Sequence, residues 1–196
     1  MDYSKAFKIC SSYLKDKCDL SHFNNFVFNV KDSELEYSNK FMKIFIEHLN
    51  NISSDTAEII KLTIFSYVVS SNINKTIDND FYQLIDYCFD NTYKLISPIV
   101  VYRGISDIKH LNTSLYISTT LDILLANNFA QNGIVLQIVL PIGTKVLYNN
   151  SEHEFIIKGK LTLGKYIGNT YSRDEVPMYE CNFLEKSYVK KDWDGG

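Results

Sequence analysis

The chain has 196 residues, 45% of them hydrophobic, a size that can bury a sizeable core within one domain. Its formal net charge of -3 leaves no basic excess with which to displace phosphate counterions, so an electrostatic nucleic-acid binder is excluded. The 4 cysteines, Cys10, Cys18, Cys88 and Cys181, lack the close pairs of a zinc site and fall far below the density of a disulfide scaffold; reduced thiols are expected.

The opening Met-Asp-Tyr-Ser-Lys shows no apolar run before a small-residue cleavage site, so no signal peptide is expected. No stretch reaches about 18 consecutive apolar residues, so no membrane-spanning helix is expected either. Both features point to a reducing cytosol, the cell's own or a host's. The richness in Asn, Ile, Lys and Tyr is typical of low-GC coding sequences, viral, phage or bacterial.

Helical periodicity runs from about Ser4 to Lys17. Ser33 with Glu36, and Asp55 with Glu58, have the spacing of helix-start capping boxes. Apolar positions follow each, first Leu35, Met42, Phe45, Ile46 and Leu49, then Ile59, Ile60, Leu62, Ile64, Phe65, Val68 and Val69. A further helical pattern covers Asp80 to Leu95. Near Ser97-Pro98 the texture changes to short β-branched runs bounded by Gly, Asn and Pro. These predict strands at Ile99 to Tyr102, Leu115 to Ser118, Ile134 to Leu140, Lys145 to Leu147, Glu154 to Ile157, Leu161 to Ile167 and Pro177 to Leu184, with a short helix from Leu121 to Ala130. Helices followed by strands define an α+β fold, with two packed, mainly antiparallel sheets and an N-terminal helical layer. One domain is expected, with a helical part over 1–97 and a β-rich core over 98–190.

Chemistry concentrates in the second half. On an extended segment Glu152 and Glu154 present their carboxylates on one face while His153 points to the other. Such a pair is ordinarily solvated edge charge. Here it follows Val-Tyr-Arg-Gly at 101–104, closing one strand, and Ile-Ser-Thr-Thr at 117–120, closing another. Taken alone, Arg103 reads as a surface ion-pair partner and Ser118-Thr119-Thr120 as a helix cap. His22, His48, His110 and His153 share no ligand spacing, so no metal site is expected.

The ordered set Arg103, Ser118, Glu152, Glu154 resembles the arginine-serine-glutamate, cholera-toxin-like class of mono-ADP-ribosyltransferases, which has bacterial toxin and bacteriophage members. The resemblance covers about residues 98 to 184. It extends to Ala126 and Phe129, to the turn Pro141-Ile142-Gly143-Thr144, and to Phe155-Ile156-Ile157, Lys158-Gly159-Lys160 and Leu161-Thr162-Leu163, read as strand, turn and strand. Two departures are Thr120, where serine is commoner, and a short polar loop before Glu152.

The resemblance implies an ADP-ribosyltransferase-like fold whose β-rich part binds NAD as co-substrate, without a metal. Glu154 would hydrogen-bond the ribose 2′-hydroxyl and stabilise the positive charge that develops when the nicotinamide bond breaks. Glu152, as the first acid of a Glu-x-Glu motif, would orient and deprotonate an incoming guanidinium, which points to an arginine acceptor; a glutamine there would suggest asparagine. Arg103 would pair with a phosphate. Ser118 would orient Glu154, Thr119 and Thr120 would shape the cleft, Phe129 would stack on nicotinamide and Gly104 would admit its amide. The polymerase-type relatives carry histidine where Arg103 stands. The implied partner is a target protein, host-derived if the chain is a viral, phage or bacterial effector, with no nucleic acid or membrane involved. The alternatives are an NAD glycohydrolase and an inactive member of the fold that binds a host factor.

Overall fold

The computed structural model describes residues 1–14, 36–69, 79–112, 114–150, 152–171 and 175–185. Among the described residues four helices come first: α1 (Tyr3–Leu14), α2 (Glu36–Asn50), α3 (Ser54–Val69) and α4 (Asn79–Asn91). The expected cap at Ser33 and the end of the first helix near Lys17 lie outside the described residues. The helix α3 does not start on the Asp55–Glu58 pair: Ser53 caps it, its Oγ accepting from Thr56 N at 3.3 Å, because a hydroxyl two residues earlier reaches the free amide first. α3 is the central helix, with Ile59, Ile60, Leu62, Ile64 and Phe65 all buried. Its buried hydroxyls are satisfied within the helix, Thr63 donating to Ile59 O at 2.7 Å and Ser66 to Leu62 O at 2.9 Å.

Six strands follow: β1 (Ile99–Ile105), β2 (Tyr116–Thr120), β3 (Ile134–Leu140), β4 (Val146–Asn149), β5 (Glu154–Asn169) and β6 (Pro177–Glu185), with α5 (Ile123–Ala130) between β2 and β3. The sheet order is β2-β1-β3-β6-β5-β4, and β2 also pairs with β5. All pairings are antiparallel except β3 with β6. The architecture is therefore α+β, as the sequence indicates, but the two strand groups form one hydrogen-bonded network. β5 makes the join: Glu154 to Lys158 pair with β2 and Glu154 to Ile157 with β4, while Gly159 to Asn169 pair with β6.

The turn expected at Lys158-Gly159-Lys160 does not exist; β5 runs straight through it. A Cβ at Gly159 would sit 2.4 Å from Leu184 O and 2.6 Å from the Phe183 ring, so this glycine marks a close approach of β6. Lys158 is spent on an ion pair with Asp86 of α4, whose Oδ1 also accepts from Tyr116 OH at 2.6 Å. The Pro141–Thr144 turn is present, Thr144 N donating to Pro141 O at 3.2 Å.

One continuous core joins helices and strands, from Ile9, Phe45, Ile60 and Leu84 to Val101, Leu136, Ile156 and Leu161. Its corner nearest the acidic residues is aromatic. Phe41 of α2 packs on Tyr148 and Phe155, with ring centroids 5.0 and 4.6 Å away. Tyr148 and Phe155 are cross-strand partners, as are the adjacent Asn149 and Glu154. The alternation of a strand then forces a division: the aromatic pair faces α2, and Asn149 and Glu154 face the opposite side.

Candidate active site

That opposite side is a cleft of about 430 Å³ whose lining includes Arg103, Gly104, Ser118, Thr119, Thr120, Phe129, Glu152 and Glu154, so all eight residues singled out from the sequence border one space. Two strand pairings, β2 with β5 and β1 with β2, bring them together. Thr120 pairs with Glu154, Ser118 with Ile156 and Tyr102 with Thr120, which sets the ends of β1, β2 and β5 side by side.

Glu154 is the most constrained of them, at 7% exposure. Asn149 Nδ2 donates to its Oε2, and the Ser118 hydroxyl also hydrogen-bonds it. Burial pushes its carboxyl from 4.5 up to about 7, Glu152 adding to the rise and Ser118, Asn149 and Arg103 opposing it. The Ser118 hydroxyl is in turn 3.2 Å from Tyr67 OH of α3, a phenol that burial pushes up to about 12 and so keeps neutral.

Arg103 Nη1 donates to Ser118 O at 2.8 Å, which fixes the guanidinium beneath β2. Burial lowers its pKa, and Tyr67 and Glu154 oppose this only in part. Its Nε is buried and has no hydrogen-bond partner among the described residues. A buried unpaired donor on a cation is costly, and an anionic ligand would satisfy it.

Glu152 does not reach the cleft in the way the sequence pattern suggests. Glu152 and His153 form a turn rather than an extended segment, and His153 has φ 49°, in the left-handed region. Glu152 and Glu154 therefore share the cleft because the chain turns between them. Thr120 holds the turn, its Oγ1 donating to Glu152 O at 2.8 Å, and Leu121 N donates to His153 O at 3.1 Å. His153 points away from the cleft, as expected, but it is half-buried against the helical layer, its Nδ1 lying 2.6 Å from Ser38 Oγ of α2. Burial lowers the imidazole pKa, and Asp122 opposes the shift.

The remaining residues have distinct settings. Thr119 spends its hydroxyl on Phe155 O at 2.9 Å. Asp122, not Thr120, caps α5 by accepting from Leu124 N at 2.8 Å. Phe129 is 51% exposed, too open for a core residue, and projects from the helix that walls the cleft. A Cβ at Gly104 would lie 1.9 Å from Ala126 O and 2.5 Å from Ala130 N, so the glycine lets α5 lie directly on β1. Sequence reasoning misses Asn149, Tyr67 and Ser38. The first is accessible in principle, since the hairpin from β4 to β5 sets Asn149 opposite Glu154; the two helical residues give no sequence signal. Among the described residues no group of three or more His, Cys, Asp or Glu side chains is gathered as for a metal ion, and no helix is long and apolar enough to cross a membrane.

No protein-family profile matches the sequence, and no curated protein matches it. Solved structures do match, and the fold they define is that of ADP-ribosyltransferase toxins. Plx2a, an ADP-ribosyltransferase toxin from Paenibacillus larvae, superposes with a TM-score of 0.51 at 16% identity over 76% of this chain and 96% of that one. C3stau2 from S. aureus, solved with NAD, gives 0.53 at 15% identity over 79% and 97%. BECa, an ADP-ribosylating toxin of a binary enterotoxin of C. perfringens solved with NADH, gives 0.55 at 13% identity over 78% of this chain and 49% of that one.

Proposed function

We propose that the protein is a mono-ADP-ribosyltransferase that transfers ADP-ribose from NAD to an arginine of a target protein. The observation that carries this reading is the meeting of Glu154, held by Asn149 and Ser118, with Glu152 and Arg103 in one cleft. Arg103, with its unpaired buried Nε, is suited to a phosphate of the dinucleotide. Phe129 offers an open ring to the nicotinamide. As the bond between nicotinamide and ribose C1′ breaks, nicotinamide leaves with the electron pair and positive charge grows on the ribose. The Glu154 carboxylate stabilises that charge. A guanidinium nitrogen of the acceptor then bonds to C1′ and passes its proton to Glu152. An acid at 152, where an amide could not take the proton, is what favours arginine. An effector acting on a host protein fits this chemistry.

The test uses purified wild type, Glu152→Gln and Glu154→Gln with NAD labelled on the adenosine side, a small guanidino acceptor and a cell lysate, following nicotinamide and labelled acceptor together. Wild type should produce both. Glu154→Gln should lose both by about 10²–10³-fold, the usual cost of removing a group that stabilises transition-state charge. Glu152→Gln should keep nicotinamide release and lose label on arginine. Nicotinamide release without labelled acceptor would make the protein a glycohydrolase, and no release from wild type would sink the enzyme reading.

A further inference from the structure

The helical layer reaches the acidic turn through one buried hydroxyl. Ser38 sits on α2 among Phe41, Met42 and Phe45, and it is fully buried. Its Oγ lies 2.6 Å from His153 Nδ1 and donates to Asn150 Oδ1 at 2.9 Å, and it also meets Tyr148 OH. With its single proton on Asn150, Ser38 accepts from His153, which places the imidazole proton on Nδ1. A serine in a helix core position costs both helix propensity and polar desolvation, where an alanine would cost neither. Its hydroxyl is used on residues that flank the Glu152–Glu154 turn and are more than a hundred positions away in sequence.

The turn needs such a hold. A left-handed conformation is unfavourable for a non-glycine residue and persists only where its surroundings fix it. From the β2 side, Thr120 and Leu121 grip the backbone of the turn. From the opposite side the helical layer grips it by a side chain, Ser38 of α2 holding the His153 imidazole. We propose that Ser38 is a positioning residue: by holding His153 through Nδ1 it keeps the turn in the form that delivers Glu152 and Glu154 to the cleft together. This rests on the transferase reading of the site and assigns the helical layer a part in it.

The experiment compares wild type with Ser38→Ala, Ser38→Thr and His153→Gly. Ser38→Ala should lower kcat for nicotinamide release about tenfold while the KM for NAD stays within twofold, because Arg103 is held separately by β2. Ser38→Thr, which keeps the hydroxyl, should recover most of the lost kcat. His153→Gly tolerates the left-handed backbone but lacks the imidazole, and it should show the same kcat loss. A purely structural serine would instead lower thermal stability and leave kcat of the folded protein unchanged, which would overturn the proposal, as would full activity of His153→Gly. The His153 imidazole nitrogen signals in an NMR spectrum judge the contact without turnover: Nδ1 should be protonated and hydrogen-bonded in wild type and shifted in Ser38→Ala. Identical signals in both would overturn the contact. A wild type that releases no nicotinamide, by contrast, would overturn the reading of the site, and with it the catalytic use of Ser38, whatever the imidazole signals show.

Discussion

At the scale of single residues, the cleft sets stability against chemistry at Glu154. A carboxyl whose pKa is raised on folding binds its proton more tightly in the native than in the unfolded chain. Stability therefore falls as pH rises from the ordinary value of 4.5 through about 7, and the cost is constant above that. The full cost is of the order of 3 kcal/mol. Glu154→Gln keeps the shape and an acceptor for Asn149 but removes the charge. Its melting temperature should exceed that of wild type by several degrees at pH 8 and match it closely at pH 5, as read by thermal unfolding at the two pH values. In the proposed reaction it is the same carboxylate, in its ionised form, that would stabilise the developing cation. In the wild type, kcat/KM for nicotinamide release should fall below about pH 7 with a slope of one, well above the range of an ordinary glutamate. A profile flat down to pH 5 would show that Glu154 ionises normally.

At the scale of elements, the strands are more legible in the sequence than the joints between them. Alternation and β-branched runs locate β3 and β6 closely and the start of β1, which runs on three residues past the expected end at Tyr102, and they place Arg103, Ser118 and the acidic pair in order along the chain. Two departures from expectation share a cause, which is that a local pattern cannot report a tertiary neighbour. Gly159 reads as a turn until β6 is seen lying on it, and Glu152-His153-Glu154 reads as extended until α2 is seen holding its centre. Tyr67 and Ser38 are invisible for the same reason, since a helical hydroxyl has no sequence mark that separates a surface from a site. The attachment of α4 to the sheet is of this kind too. Lys158 on β5 and Asp86 on α4 form a pair that Tyr116 supports, with both ends largely withdrawn from water. Lys158→Ala leaves the carboxylate with one neutral donor, so it should cost about 2–3 kcal/mol in denaturant unfolding, near the lower limit for a broken buried pair because Asp86 keeps some solvent. A cost below about 0.5 kcal/mol, the range of an exposed pair, would show that the contact fastens nothing.

At the scale of the whole molecule, the sequence draws a seam near residue 98 that the core does not respect. The α1, α2, α3 and α4 side chains and those of β1 to β6 form one apolar cluster, and the polar contacts from α2 to the acidic turn and from α3 to Ser118 cross the same boundary. Removing the helical part would uncover one side of the sheet network, including Tyr148 and Phe155, each of which carries about 2 kcal/mol or more of burial. It would also release the Ser38 and Tyr67 hydroxyls, which meet His153 and Ser118 beside the cleft. The chain should therefore unfold in a single transition, with fluorescence, which follows aromatic packing, and far-ultraviolet circular dichroism, which follows the helices, reporting the same midpoint. A separately produced segment 98–185 should show no cooperative transition and no nicotinamide release. Two resolved transitions, or a folded and active strand segment, would mean that the helices are a detachable layer and that the seam in the sequence is a domain boundary after all.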